Sequence, residues 1–177
     1  MLLSARRLRV CIALLGLLAA TTAWGLPKVV AAPPPASSLR MEDIDPRYKA
    51  LENFFQKYKC PEPHYVKEYI EAADKYHLSY ELLPAISLKE STCGKHSPGL
   101  MVDGKYINGA CNNWWGWLIY GDHRKCFDSI PAGIDEILDN FANNPKWQGT
   151  TDGILWKYNG TVERGYPARV KSLMEQI

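Results

Sequence analysis

The stretch LLPAISLKESTCGKH, Leu82 to His96, decides how the chain is read. Leu82, Leu83, Ala85, Ile86 and Leu88 are apolar with no polar stripe between them, the pattern of a helix buried on most sides. The run then ends on a carboxylate, Glu90, followed by Ser91, Thr92, Cys93 and Gly94. A helix C-terminus carries the negative end of the backbone dipole and is a poor place for an anion. Apolar neighbours add a desolvation cost, and both effects push a carboxyl pKa upward. That is the setting of a general acid working near neutral pH. The plain alternative is a solvated charge at an ordinary helix end.

Working outward, Ser79 is a good N-cap for this helix, and Glu81 suits its first turn. Pro84 conflicts with a start at Ser79, because a proline one turn in removes a hydrogen bond. The helix therefore begins later or is kinked, and it ends near Ser91 with Gly94 free to turn left-handed. Upstream, Tyr48, Leu51, Phe54, Phe55 and Tyr58 recur at helical spacing. Pro63 is suited to open a further helix, whose stripe is Val66, Tyr69, Ile70, Ala73 and Tyr76.

Downstream, Cys93 to Asn113 has no period and reads as a long loop. Asn112 to Tyr120, containing Trp114, Trp115 and Trp117, is rich in strand formers. With a turn at Gly121-Asp122 and a return over Arg124–Phe127, it predicts a hairpin. Alternation would put Trp115 and Trp117 on one face. Such aromatics serve either as core or as flat platforms for sugar rings, with Asn112 and Asn113 offering amide groups to hydroxyls. Ser129 caps a helix with the stripe Ile134, Ile137, Leu138 and Phe141. Thr151 caps a short one through Tyr158, stopped by Asn159-Gly160, and Tyr166–Ile177 forms the last. About six helices and one hairpin make an α+β, predominantly helical domain.

The chain has 177 residues. Residues 1–25 carry the marks of a secretory signal peptide: Arg6, Arg7 and Arg9, then the 11 apolar residues Val10–Ala20, then Ala23-Trp24-Gly25. An uncleaved N-terminal anchor is the alternative. Residues 26–47, with AAPPPASS and then MEDID, read as a Pro-rich, acidic linker, leaving 48–177 as the folded domain. Removing 1–25 takes away three arginines and no acid, so 18 basic and 19 acidic residues remain, a net −1. A near-neutral domain is not built to bind nucleic acid.

Cys60, Cys93, Cys111 and Cys126 follow the signal. An even count in that context predicts two disulfides, with three possible connectivities. No close pair such as C-x₂-C is present, and His64, His77, His96 and His123 are scattered, so the reading assigns no metal and no cofactor.

The segments also carry a resemblance. LLPAISLKESTCGKH is similar to the catalytic helix of the lysozyme-like superfamily, in which an apolar helix leads into a Glu-Ser pair. NNWWGW resembles an Asn–aromatic–Gly cleft wall of glucosaminidase and transglycosylase members. CFDSIPAGIDEIL resembles the strand and helix that follow it. LWKYNG with YPARVKSLM resembles the tyrosine–asparagine motif and closing helix of soluble lytic transglycosylases. The four blocks stand in the expected order over about Tyr65 to Ile177.

The resemblance implies a lysozyme-like fold, with Glu90 as catalytic acid and Tyr158 as a catalytic partner across the cleft. It implies Ser91, Asn113, Trp115, Trp117 and Asn159 as substrate-binding residues. The implied activity is cleavage of bacterial peptidoglycan glycan strands at the MurNAc–GlcNAc linkage by a secreted, periplasmic or envelope monomer. A single acid favours a lytic transglycosylase. A hydrolytic muramidase or glucosaminidase, a non-catalytic wall-binding module and a protein-binding scaffold are the competing readings. The loop after Glu90 lacks the glycine-leucine-methionine-glutamine stretch of many transglycosylases. It holds Cys93 and Cys111 instead, and the pairing expected is Cys93–Cys111 with Cys60–Cys126.

Overall fold

The computed structural model describes residues 45–121 and 123–177. The expected signal peptide, almost all of the linker and Asp122 lie outside the described residues. The described part is α+β and mostly helical: six α-helices, one π-helical turn and one two-stranded antiparallel sheet.

Helix α1 spans Pro46–Lys57, so the folded part starts two residues before Tyr48, inside the expected linker. Asp45 caps it by accepting from the Arg47 backbone N–H at 2.9 Å. The Arg47 guanidinium then bridges Asp45 (2.8 Å) and Asp74 (2.6 Å), tying the start of α1 to the end of the next helix. Helix α2, Val66–Tyr76, buries Val66, Tyr69, Ile70 and Ala73, four of the five residues of its expected stripe. Pro63 does not open it: the helix begins three residues later, after Tyr65 in a left-handed conformation.

Helix α3, Leu82–Ser91, is the central element, with every residue from Leu82 to Ser87 buried. It starts three residues after Ser79 and without a side-chain cap. Pro84 is therefore its third residue, where a backbone N–H has no intrahelical acceptor in any case. The proline costs α3 nothing and does not need a kink.

The hairpin is not where the tryptophans are. Strands β1 (Leu100–Val102) and β2 (Lys105–Ile107) pair antiparallel, with Leu100 opposite Ile107 and Val102 opposite Lys105. Asp103 and Gly104 both have positive φ, the requirement of a tight two-residue hairpin turn. Residues 112–121 and 123–127 instead form turns and irregular chain, with one isolated bridge between Tyr120 and His123. Large rings cannot sit on a short two-stranded ribbon and also leave water, so the chain coils to deliver Trp115 and Trp117 inward, with Trp114 partly buried against them.

Helix α4, Ile130–Asn143, is capped by Ser129, whose Oγ accepts from the Ala132 N–H at 3.2 Å. It buries Ile134, Ile137, Leu138 and Phe141 and packs on α2. Helix α5, Thr151–Leu155, is capped by Thr150, one residue earlier than expected, and runs into a π-turn over Trp156–Gly160. Helix α6, Tyr166–Met174, packs on α3 and closes the core.

The disulfides are Cys60–Cys93 and Cys111–Cys126, not the expected Cys93–Cys111 and Cys60–Cys126. The chain leaves Cys93 into the β-hairpin and returns alongside residues 125–127. There the Phe127 N–H bonds the Cys111 carbonyl at 3.0 Å and Asn113 Nδ2 bonds the Lys125 carbonyl at 2.8 Å. That pairing brings Cys126 to Cys111 and leaves Cys93, at the end of α3, facing the loop after α1. Among the described residues, no helix is long and apolar enough to cross a membrane.

Candidate active site

Glu90 is the next-to-last residue of α3. The helix stops there because Thr92, Cys93 and Gly94 take left-handed conformations in succession. Ser91 locks the stop. Its hydroxyl accepts from the Gly94 N–H at 2.7 Å and donates to the Trp114 carbonyl at 2.5 Å. Ser91 thus joins the acid-bearing helix end to the 113–117 turn. Its oxygen is committed to the backbone rather than offered to a ligand.

A cleft of about 400 Å³ opens at this junction. Glu90, Ser91, His96, Pro98, Asn113, Gly116, Ile119, Tyr158 and Asn159 line it. Glu90 is the only carboxylic acid among these lining residues. Its Oε1 is buried and has no hydrogen-bond partner among the described residues. Burial raises its pKa above the ordinary 4.5, while the neighbouring Tyr166 hydroxyl and the Lys89 charge pull the other way. Lys89 is itself drawn aside toward Glu163, 3.5 Å away.

Gly116 forms the wall opposite. Its φ is +64°, and a Cβ added there would meet Glu90 Oε2 at 3.3 Å. A side chain at 116 would therefore be strained and would crowd the acid, which accounts for glycine on both steric and backbone grounds.

Tyr158 does reach the cleft. Its hydroxyl donates to the Trp115 carbonyl, so the proton is held by the protein. Burial, and then the Glu90 charge, push its pKa far up. The ring lies between Trp117 (5.8 Å) and Tyr166 (5.9 Å), stacked on both. Tyr158 thus offers a neutral oxygen as an acceptor beside Glu90, and it is no candidate for a base. Asn159 stands on the rim, half-buried.

Besides Ser91, three more of the expected substrate-binding residues have other tasks. Trp115 is 0% and Trp117 2% exposed. Trp115 packs on Tyr69 and Phe127, and Trp117 on Phe141 and Trp147. Both rings are core, because their area is worth most when removed from water. Asn113 is also fully buried. Its Oδ1 accepts from the Trp117 N–H at 3.0 Å, and its Nδ2 donates to the carbonyls of Trp117 (2.9 Å) and Lys125 (2.8 Å). With both amide hydrogens used and the side chain fully buried, it shapes the cleft wall from behind.

Tyr166 is the residue that the sequence reading passed over. It is 0% exposed, and its hydroxyl is buried with no hydrogen-bond partner among the described residues. Burial and the Glu90 carboxylate hold it protonated. As the first residue of a closing helix it carries no local signal; only the packing of α6 on α3 brings it to the acid. His96, Pro98 and Ile119 were likewise not singled out.

No family model, curated protein or solved structure matches the chain.

Proposed function

We propose that the chain is a peptidoglycan-cleaving enzyme of lysozyme-like fold, acting at the MurNAc–GlcNAc linkage as a lytic transglycosylase. The observation that carries the reading is Glu90: a carboxyl with a raised pKa and a buried oxygen that has no hydrogen-bond partner among the described residues, opening into a cleft with no second acid among its described lining residues. Glycosidases that use two carboxylates need the second as nucleophile or as base for water. An N-acetylated sugar supplies a substitute, because its acetamido oxygen can bond to the anomeric carbon as the leaving oxygen departs.

In this mechanism protonated Glu90 gives its proton to the glycosidic oxygen and the C–O bond breaks. The acetamido oxygen closes on the anomeric carbon. The Glu90 carboxylate then takes the proton of the sugar's own 6-hydroxyl, whose oxygen displaces the acetamido group and forms the 1,6-anhydro ring. Glu90 ends protonated, as it began. Tyr158 accepts a hydrogen bond from the sugar near the reacting carbon, and the Glu90–Tyr166 contact steadies the carboxylate once it forms. The two disulfides and the N-terminal basic and apolar segment support export to an oxidising compartment.

The test is digestion of purified peptidoglycan with the wild-type chain and with Glu90→Gln, followed by mass analysis of the soluble fragments. Anhydro ends in the wild-type digest alone are expected. Fragments one water heavier assign the hydrolase instead. Wild-type protein that binds the wall but releases nothing sinks the enzymatic reading.

A further inference from the structure

We propose that the cleft continues into a second chamber that binds a peptide carboxylate of the substrate, with Lys146 as the cation that holds it. The inference rests on the peptidoglycan reading above and names which part of that substrate the chamber takes. The chamber holds about 220 Å³. Gly116, Ile119 and Tyr158 line both it and the Glu90 cleft. Trp117, Leu118, Tyr120, Lys146 and Trp147 complete it. Gly116 puts no side chain between the two spaces.

The polar groups select the charge of the ligand. Lys146 is the only charged residue among the chamber's described lining residues. Its ammonium lies 5.5 Å from the centre of the Trp147 ring and has no ion pair among the described residues. The Trp117 indole nitrogen is buried, with no hydrogen-bond partner among the described residues. An ammonium and an indole N–H are donors only. The Tyr158 proton is already held by the Trp115 carbonyl. The chamber thus has donors, aromatic faces and no carboxylate among its described lining residues. A ligand carboxylate on a partly apolar stem complements all three features.

The apolar wall is shaped for a ligand rather than for folding. Leu118 has a φ of +52°, in the left-handed region, and yet is 37% exposed. A leucine there bears backbone strain without burying its side chain, and strain of this kind gathers at functional sites. Tyr120 is 64% exposed but braced. Its ring stacks on His123 at 4.7 Å, and the two residues exchange backbone hydrogen bonds of 3.2 and 3.0 Å.

A muramyl sugar can present a carboxylate in two ways. When bare, its lactyl carboxylate lies a few bonds from the ring and stays in the cleft with the sugar. When substituted, the lactyl group is an amide and the carboxylates sit on the peptide, each residue of which reaches about 3.3–3.6 Å farther. The peptide form reaches past Gly116 while the sugar remains beside Glu90.

The experiment is calorimetry of the full chain, disulfides intact, with N-acetylmuramyl-L-alanyl-D-glutamate, its diamide and N-acetylmuramic acid. None of these has a glycosidic bond to cut, so binding is read without turnover. The diacid should bind on the order of tenfold more tightly than the diamide at low salt, and the preference should shrink as salt rises. Lys146→Gln should abolish the preference and Lys146→Arg should retain it. Lys49→Gln makes the same charge change on α1 and should leave it intact. Leu118→Gly relieves the backbone and removes the side chain, so diacid binding should weaken with little change in melting temperature. Equal affinity for diacid and diamide, a preference undiminished in Lys146→Gln, or unchanged diacid binding in Leu118→Gly overturns the proposal. An equal Lys146-dependent gain for N-acetylmuramic acid moves the carboxylate to the lactyl group and overturns the peptide assignment. Cleavage of peptidoglycan without any carboxylate preference removes this inference and leaves the enzymatic reading standing; a preference without cleavage does the reverse.

Discussion

Asn113 and Glu90 border the same cleft, and both carry buried polar atoms. Asn113 has its carbonyl and both amide hydrogens paired with backbone. Glu90 Oε1 is buried with no hydrogen-bond partner among the described residues, although the Tyr166 hydroxyl is its neighbour. Buried polar groups in native proteins are satisfied as a rule, and exceptions call for an explanation. The pairing of Asn113 is architecture: it holds the turn that carries Trp115 and Trp117 into the core. Glu90 has no such architectural task, and the function proposed above gives its carboxyl one.

The largest effect expected is on catalysis. Glu90→Gln keeps the shape and removes the proton, so cleavage should fall by about 10³-fold or more, near the upper range for general acids. Folding should not suffer. Glu90's folded pKa is raised, so the native state holds its proton above pH 4.5, where the unfolded chain has released it. This group's contribution to stability is therefore complete at low pH and is lost as pH rises from 4.5 through the folded value. The stability of Glu90→Gln relative to wild type should grow over that window, which denaturant titrations at several pH values would reveal. A variant that is merely unstable and inactive would erase the contrast between the two residues.

On the architectural side, removing the Cys111–Cys126 bridge as a double serine variant opens a loop of 15 residues and should cost about 3 kcal/mol. Asn113→Ala strands one N–H and two carbonyls, and we expect a loss of about 2–3 kcal/mol in chemical denaturation. Activity should fall only in step with the folded fraction. If Asn113→Ala instead raises KM at unchanged stability, the residue binds substrate after all.

Gly116→Ala tests where the two regions meet. Its positive φ should cost about 1 kcal/mol, and the new methyl group should slow cleavage by displacing Glu90 Oε2. The smallest effect belongs to Tyr166→Phe. Loss of the hydroxyl removes a group that favours the ionised acid. The alkaline limb of the pH–rate profile should shift upward, with little change in melting temperature.

Much of this could be read in one dimension. The stripes of α2 and α4 obey the helical period, the Ser129 cap is local chemistry, and the dipole at the end of α3 acts on Glu90 whatever lies beyond. The signal for the true hairpin was present too: Asp103-Gly104 between LMV and KYI is the strongest short hairpin cue. The tryptophan-rich segment outweighed it because strand propensity and core propensity favour the same residues. Nothing in the spacing of four cysteines separates three pairings, and Cys93 joins Cys60 only because the hairpin carries the chain away before Cys111 returns.

The sequence by itself determined the helices and the acid at an apolar helix end, since each depends on residues within a few positions of one another. Only the tertiary structure decided that Trp115 and Trp117 are core, that Asn113 is fully paired, and that Tyr166 faces Glu90. Those facts depend on which surfaces meet when α6 docks on α3 and the loop after α1 folds over. Burial and hydrogen-bond satisfaction are properties of contacts between distant segments, and no local pattern carries them.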